Sequence, residues 1–210
     1  MSLQGELEAE VARVWAEQTD GAHDIWHVRR VWASCQRIAD ALETPTDRQV
    51  LMIAAYLHDI INLPKDHPRR TEAAQMSADH AVAWMASRGL QGQEAVALAI
   101  LGHSYSAGHP CETLEAQVLQ DADRLEALGA IGIARCFVTA GRLGAGIVHG
   151  GDPLAEARGL EDQRFALDHF EVKLFGLPET LNTAPARAMA AERMPLMRAF
   201  QAALAAEARI

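Results

Sequence analysis

The chain has 210 residues, half of them hydrophobic and only 5% aromatic, and its formal net charge at pH 7 is -9. This length is ample to bury a core and is most simply a single domain, residues 1–210. The negative charge argues against a general nucleic-acid-binding protein, because such proteins present basic surfaces. An anionic substrate would therefore need local cations or a metal ion to hold it.

Cysteine usage and hydropathy indicate a cytoplasmic protein. The three cysteines, Cys35, Cys111 and Cys136, are odd in number and far apart, which is unlike a disulfide framework. We find no signal peptide and no apolar run near the roughly 18 residues that a membrane span requires. We therefore expect a cytoplasmic protein that binds neither membranes nor nucleic-acid polymers.

Hydrophobic residues recur at steps of three and four through most of the chain, the spacing of amphipathic helices. Leu3, Leu7 and Val11 begin the first of these patterns. Neither a convincing alternation of period two nor an internal repeat occurs, so the predicted fold class is all-α. The predicted helices span about residues 3–19, 25–42, 46–58, 71–88, 93–103, 118–128, 131–139, 162–174 and 184–210.

The predicted boundaries of the third helix place two polar residues at its end. Thr46–Gln49 has the form of a capping box, so this helix should start there and run to His58. His58 and the adjacent Asp59 then lie at the C-terminal end of a buried helix. Residues 62–70 contain two prolines and are predicted to be a loop beside the pair. In the last helix, Pro195 should cause a kink or an interruption.

Residues that can bind a metal ion occur at the edges of four apolar helices. Neighbouring residues on a helix point about 100° apart. His58 and Asp59 can therefore share one ion only near a helix end or together with ligands from other segments. Three segments offer such ligands: His23–Val31, Ile100–His103 and Gln120–Ala127.

The order of these motifs resembles the HD superfamily of metal-dependent phosphohydrolases. The chain has His-x-x-Arg-Val from His27, then the His-Asp pair after an apolar run, then Ala-Asp-Arg-Leu at residues 122–125. Residues 129–135 and 166–170 further resemble a small bacterial subfamily of stand-alone HD hydrolases. The resemblance implies an HD-type helical bundle over about residues 20–146, with a C-terminal helical extension over about 160–210.

The resemblance also implies one divalent metal ion, held by His27, His58, Asp59 and Asp123. Two neutral imidazoles and two carboxylates would offset nearly all of the formal charge of the ion. Mixed nitrogen and oxygen ligands suit Mn, Fe, Co or Ni, with Mg or Zn also open. The remaining coordination positions would take a phosphate oxygen and a water molecule, which the ion can activate.

Asp121 and Asp123 compete for the last ligand position, because residues two apart on a helix point about 200° apart. The apolar stripe of Val118, Ala122 and Leu125 favours Asp121 as the inward-facing residue. The resemblance instead identifies Asp123, and we follow it. For the His58-Asp59 pair, the alternative is a helix end in which His58 interacts with the helix dipole and Asp59 bonds a loop amide.

The acid–base roles stay open in the sequence. We interpret His103 as a phosphate ligand or proton donor, against the alternative of a structural histidine. Several relatives have an acidic residue three positions after the Asp of the pair, but this chain has Asn62, which cannot be a general base. Either the metal alone activates the water, or another acid such as Asp24 or Asp66 helps.

Phosphate binding requires cations, and Lys65 and Lys173 are the only lysines in a chain that otherwise uses arginine. A lysine is a compact point charge suited to a phosphate. Lys65 lies in the loop beside the ligand pair, so we predict it as the first phosphate-binding and catalytic residue, together with Arg69. Arg124 and Lys173 are further candidates. The alternative for the lysines is a solvated surface charge.

The predicted function is hydrolysis of a phosphate ester or anhydride in a small phosphorylated substrate, with a nucleotide favoured. A monomer and a homodimer are both open. The alternative is a non-catalytic metal- and nucleotide-binding sensor, for which Asn62 is the favourable feature. A third reading treats every His and Asp above as a helix cap or ion-pair partner in a structural helical protein.

Overall fold

The computed structural model describes residues 2–16, 24–63, 67–104 and 109–209, and over these residues the fold is all-α, as predicted. Within them no β-strand forms, and a single isolated bridge pairs Gly146 with Phe165. Short 3-10 helices cover Arg70–Glu72 and Leu174–Thr180. The α-helices are α1 Leu3–Val14, α2 Ile25–Asp40, α3 Arg48–Leu57, α4 Ala73–Ala86, α5 Gln93–His103, α6 Leu114–Leu125, α7 Gly129–Arg142, α8 Asp168–Val172 and α9 Ala184–Ala208. None of them is long and apolar enough to cross a membrane.

Most of the predicted helices are confirmed, but their ends differ in places. Asp47, not Thr46, caps α3, because its carboxylate accepts the backbone N–H groups of Gln49 and Val50. The last helix, α9, continues through Pro195 without interruption.

The predicted helix over 162–174 is wrong in extent, since the α-helical part of this segment is α8, followed by 3-10 structure. Backbone bonds to the preceding loop explain the difference. Gly146 donates to the carbonyl of Arg164, and Ala166 and Leu167 donate to the carbonyls of Gly146 and Ile147. Amides used in this way cannot extend a helix.

The chain forms two compact units, residues 1–123 and 124–210. In the first unit, α3 is the most deeply buried helix, and it packs against α1, α2, α4 and α5. A helix that is apolar on every side is stable only when surrounded in this way. The C-terminal end of α3, where the His-Asp pair begins, is therefore fixed in the interior. The assignment of residues 1–210 to a single domain stays a prediction.

A polar network ties α1 to the two helices that carry the candidate histidines. The Glu8 carboxylate on α1 accepts two hydrogen bonds from Arg29 on α2, at 2.9 and 2.6 Å. It also accepts the hydroxyl of Tyr56 on α3 at 3.0 Å. The Arg29 hydrogen bonds, with smaller contributions from Gln4 and Tyr56, lower the pKa of Glu8 to about 2. Arg29 lies two residues after His27, and Tyr56 lies two residues before His58. The network therefore holds the segments that carry these two histidines against α1.

The second unit has its own apolar centre and a buried ion pair. The rings of Phe137, Phe170 and Phe200 lie 5.7–6.3 Å apart between centroids, on α7, α8 and α9. Asp168, only 2% exposed, accepts two hydrogen bonds from Arg158, at 2.5 and 2.7 Å. The buried carboxylate is thus fully compensated, which makes α8 a fixed point of this unit.

Replacing Glu8 with Gln should destabilise the protein at pH 7. The loss of charge-assisted hydrogen bonds should lower the free energy of unfolding by roughly 1.5–3 kcal/mol, measured by urea denaturation. Because folding lowers the pKa of Glu8, its contribution is present above the unfolded-chain pKa of about 4.3 and is lost as the pH falls toward about 2. The difference between wild type and variant should therefore shrink over that range.

The matched control is Glu43→Gln, since Glu43 is exposed. This variant should have wild-type stability at pH 7 and throughout the acidic range. Equal stability of wild type and Glu8→Gln at pH 7 would contradict a structural role for the network.

Candidate metal centre

His27 enters the site from the start of α2. Asp24 is the N-cap of this helix, and its carboxylate accepts the backbone N–H of His27 at 2.8 Å. Val31 and Cys35 follow on the inward face one and two turns later, so His27 faces the interior and is 0% exposed. Asp24, an alternative acid in the sequence, therefore serves as a helix cap.

His58 is the C-cap of α3 and is fully buried. Its Nδ1 donates to the carbonyl of Ala55 at 2.9 Å, which leaves Nε2 with a lone pair. Among the described residues, Nε2 has no hydrogen-bond partner. Burial lowers the pKa of His58 to about 4, so the ring is neutral at pH 7. A neutral imidazole with an uncompensated buried nitrogen is the form that binds a metal ion.

Asp123 approaches both histidines from α6. Its Oδ1 lies 3.5 Å from Nε2 of His27 and 3.8 Å from Nε2 of His58. Burial alone would raise the pKa of Asp123, but His58 and His27 outweigh it, so the pKa is lowered. The ligand atoms of these three residues all lie within 4.8 Å of one another.

Asp59 and His103 form a second group with His58, also with ligand atoms within 4.8 Å of one another. Asp59 Oδ2 lies 3.8 Å from Nε2 of His58, and its Oδ1 lies 3.6 Å from Nε2 of His103. The Nδ1 of His103 bonds the carbonyl of Ile100. Burial tends to lower the pKa of His103, but the neighbouring Asp59 carboxylate, with a smaller contribution from Asp123, outweighs it and raises that pKa.

The donor set fits a divalent ion. Ligand atoms that each lie about 2.1 Å from one ion are separated from each other by about 3–4 Å. The measured separations of 3.5 and 3.8 Å are of this size. They are too long for direct hydrogen bonds, so the side chains converge without satisfying one another. Three of the four predicted ligands, His27, His58 and Asp123, thus form one group in the first unit, and Asp59 belongs to the second group, which shares His58. Their binding of a metal stays a prediction.

Asp121 and Asp123, the two candidates for the last ligand position, have different surroundings. Asp121 is 0% exposed, so the apolar stripe correctly indicated the more deeply buried carboxylate. Asp123 is the one grouped with the imidazoles of His27 and His58. On this helix the more buried aspartate is therefore not the one that lies beside the histidines. The family pattern pointed to the aspartate beside the histidines.

The predicted phosphate-binding cations have different surroundings. Lys65 lies outside the described residues, as does Asp66, the alternative acid of the same loop. Arg69 is exposed and forms an ion pair with Glu72 at 2.8 Å. In the second unit, Arg124 donates to the carbonyl of Thr180 and Lys173 is exposed. Their assignment as phosphate ligands stays a prediction.

Two residues that the sequence did not single out fix the backbone just after the ligand pair. The indole Nε1 of Trp15 donates to the carbonyl of Ile60 at 3.0 Å. Ser77 on α4 is fully buried, and its Oγ accepts the N–H of Ile61 at 3.2 Å. Both residues are buried. Helical periodicity can indicate burial, but it gives no signal of the hydrogen bonds that a buried side chain makes.

The N-terminal part of the chain matches a known protein family. The HD domain family model matches residues 25–128, which include all four predicted ligands. The chain belongs to the HD domain family.

The Bacillus subtilis protein YpgQ, an uncharacterized protein, is 32% identical over 202 residues, covering 92% of this chain and 90% of YpgQ. The solved structure of YpgQ in complex with ADP matches with a TM-score of 0.72 at 28% identity, covering 96% of this chain and 97% of that one. An HD-superfamily hydrolase from Bacillus thuringiensis matches with a TM-score of 0.71 at 26% identity, covering 97% and 95%.

Replacing His58 with Ala should remove the bound ion. We expect about one divalent ion per chain in the wild type, because ligands from separate helices converge only in the folded site. Elemental analysis of purified protein should show loss of that ion in His58→Ala and retention in His80→Ala, a histidine bonded to Glu10 away from the cluster. Full metal content in His58→Ala would exclude His58 as a ligand.

The two aspartates of α6 should respond differently to neutralisation. Asp123→Asn removes a charge that faces two imidazoles, so metal content should fall as it does in His58→Ala. Asp121→Asn should retain the ion and lose less activity. Metal content, measured in both variants, decides the assignment. If Asp123→Asn keeps the ion and Asp121→Asn loses it, Asp121 is the ligand and burial was the better guide.

Proposed function

We propose that this protein is a metal-dependent phosphohydrolase that cleaves a phosphate ester or anhydride, with a nucleotide as its substrate. The observation that carries the proposal is the buried Nε2 of His58, which has no hydrogen-bond partner among the described residues and faces two carboxylates. Membership of the HD domain family supports hydrolysis as the reaction. The similarity to an HD-superfamily hydrolase supports it further.

The proposed role of each residue follows from its protonation state. His27, His58, Asp59 and Asp123 would hold a divalent ion, which would polarise the phosphoryl group and activate a water molecule. Burial keeps His58 neutral, so its Nε2 stays available as a ligand at pH 7. The two carboxylates supply the negative charge that offsets the ion.

His103 is the proposed proton donor or phosphate ligand of the reaction. Its Nε2 lies 3.6 Å from Asp59, which favours the protonated ring. Its Nδ1 is bonded to the carbonyl of Ile100, so the ring orientation is fixed and Nε2 points toward the ligand cluster. A protonated Nε2 can donate to a phosphate oxygen or to a leaving group.

A nucleotide is favoured because YpgQ has been solved with ADP and the likeness covers nearly the whole of both chains. The chain itself is acidic, so binding a polyanion would depend on the ion and on nearby cations. Lys65 remains the first of the cations proposed for this role.

The second candidate is a metal-dependent nucleotide sensor that binds without cleaving. Asn62 favours it, because its amide stands where several relatives have an acid and instead accepts a hydrogen bond from Arg70. With no general base at this position, turnover would rest on activation of water by the metal, alone or with the help of another acid such as Asp66.

The experiment is a screen for phosphate and pyrophosphate release. Metal-depleted protein, reloaded with Mn, Co, Ni, Mg or Zn, is incubated with nucleoside mono-, di- and triphosphates. We expect release that requires the added metal and is abolished in Asp123→Asn. Binding of ADP without release from any nucleotide would favour the sensor, and neither binding nor release would overturn both candidates.

A further inference from the structure

The backbone that leaves the ligand pair is held by three side chains from outside it. Trp15 and Ser77 hold Ile60 and Ile61, as described above. Next along the chain, Nη1 of Arg70 donates to Oδ1 of Asn62 at 3.0 Å and to the carbonyl of Leu63. Arg70 is therefore bonded to the segment that leaves the His58-Asp59 pair.

Arg70 differs from its neighbour Arg69 in the partner it has. The guanidinium of Arg69 is exposed and paired with Glu72. Arg70 is half-buried, and Nη1 makes its bonds to both Asn62 and Leu63. A guanidinium carries five N–H donors, so the other nitrogens of Arg70 are not used in these two bonds. Among the described residues, Arg70 has no acidic partner.

The contact also fixes the character of Asn62. Its Oδ1 accepts from Arg70, so the amide is oriented with Nδ2, its donor end, on the side away from this contact. A donor beside a guanidinium is an arrangement that recognises an anion. Asn62 is three residues after Asp59, a chain reach of at most about 11 Å. This short connection keeps the pair near the candidate metal ligands.

We propose that Asn62 and Arg70 form a phosphate-recognition pair in the substrate site, in which Arg70 supplies the charge and Asn62 an oriented N–H donor. This inference rests on the proposed function. It also gives Asn62 a role other than that of a missing base. In a chain of net charge -9, with two carboxylates at the candidate metal site, a half-buried cation without an acidic partner among the described residues attracts a substrate anion.

The test compares three variants by ADP binding to metal-loaded protein and by the steady-state kinetics of whichever nucleotide the wild type cleaves. Arg70→Gln should weaken ADP binding roughly ten- to a hundredfold, because a charge-assisted contact is lost. Arg70→Lys keeps the charge but cannot bond Asn62, Leu63 and a phosphate in the same fork geometry, so its loss should be intermediate. Metal content should stay at the wild-type value in both.

Asn62→Asp distinguishes the proposal from the general-base reading. A carboxylate at this position would pair with Arg70 and repel phosphate, so ADP binding should weaken and KM should rise. A general base would instead raise kcat. An increase in kcat with unchanged ADP affinity would overturn the proposal.

The charge-matched control is Arg48→Gln, since Arg48 is exposed and paired with Asp40. It should bind ADP as the wild type does. Loss of metal in folded Arg70→Gln would overturn the proposal in favour of a purely structural clamp, and wild-type affinity in Arg70→Gln would overturn it directly. If Arg70→Gln fails to fold, Arg70→Lys and Asn62→Asp give the same decision. Absence of ADP binding by the wild type would count against the proposed function itself.

Discussion

The lone pair of His58 is the constraint on which the candidate site depends. Leaving a polar nitrogen buried without a hydrogen bond costs about 1–3 kcal/mol. The helix end makes this cost unavoidable, because Nδ1 is committed to Ala55 and the ring is fully enclosed. Asp59 and Asp123 stand just beyond hydrogen-bond range of Nε2, so neither removes the cost. A cation at Nε2 would satisfy this nitrogen and would offset the charge of the neighbouring carboxylates.

The rest of the first unit serves to hold that helix end. Burial on all sides fixes α3, and the Glu8 carboxylate joins Arg29 and Tyr56, each two residues from a candidate histidine. Trp15 and Ser77 then hold the backbone beyond the pair. The apolar stripes that built these helices therefore also carry the polar groups that orient the ligands. Preorganisation of this kind lets weak individual donors act together on one ion.

Much of this arrangement could be predicted, for physical reasons. Burial repeats with the period of the helix, so periodicity located α1 to α7 and α9. The error over residues 162–174 arose because its amides bond to Gly146 and Ile147, a contact between distant residues that local periodicity cannot report. For α6, the stripe correctly marked Asp121 as buried, while the approach of Asp123 to His27 depends on how α2 and α6 pack. Only the family pattern carried that information.

The two arginines after the ligand pair are a further case in which the sequence alone cannot report the contacts of a side chain. In the sequence Arg69 and Arg70 are equivalent cations in a short loop, and reach alone cannot separate them. The fold gives Arg69 a carboxylate partner and gives Arg70 an amide and a carbonyl. A neutral partner leaves the charge of a guanidinium available, whereas a carboxylate cancels it. The local field that an acidic protein offers a phosphate therefore depends on which cations lack acidic partners, and that is a property of the folded chain.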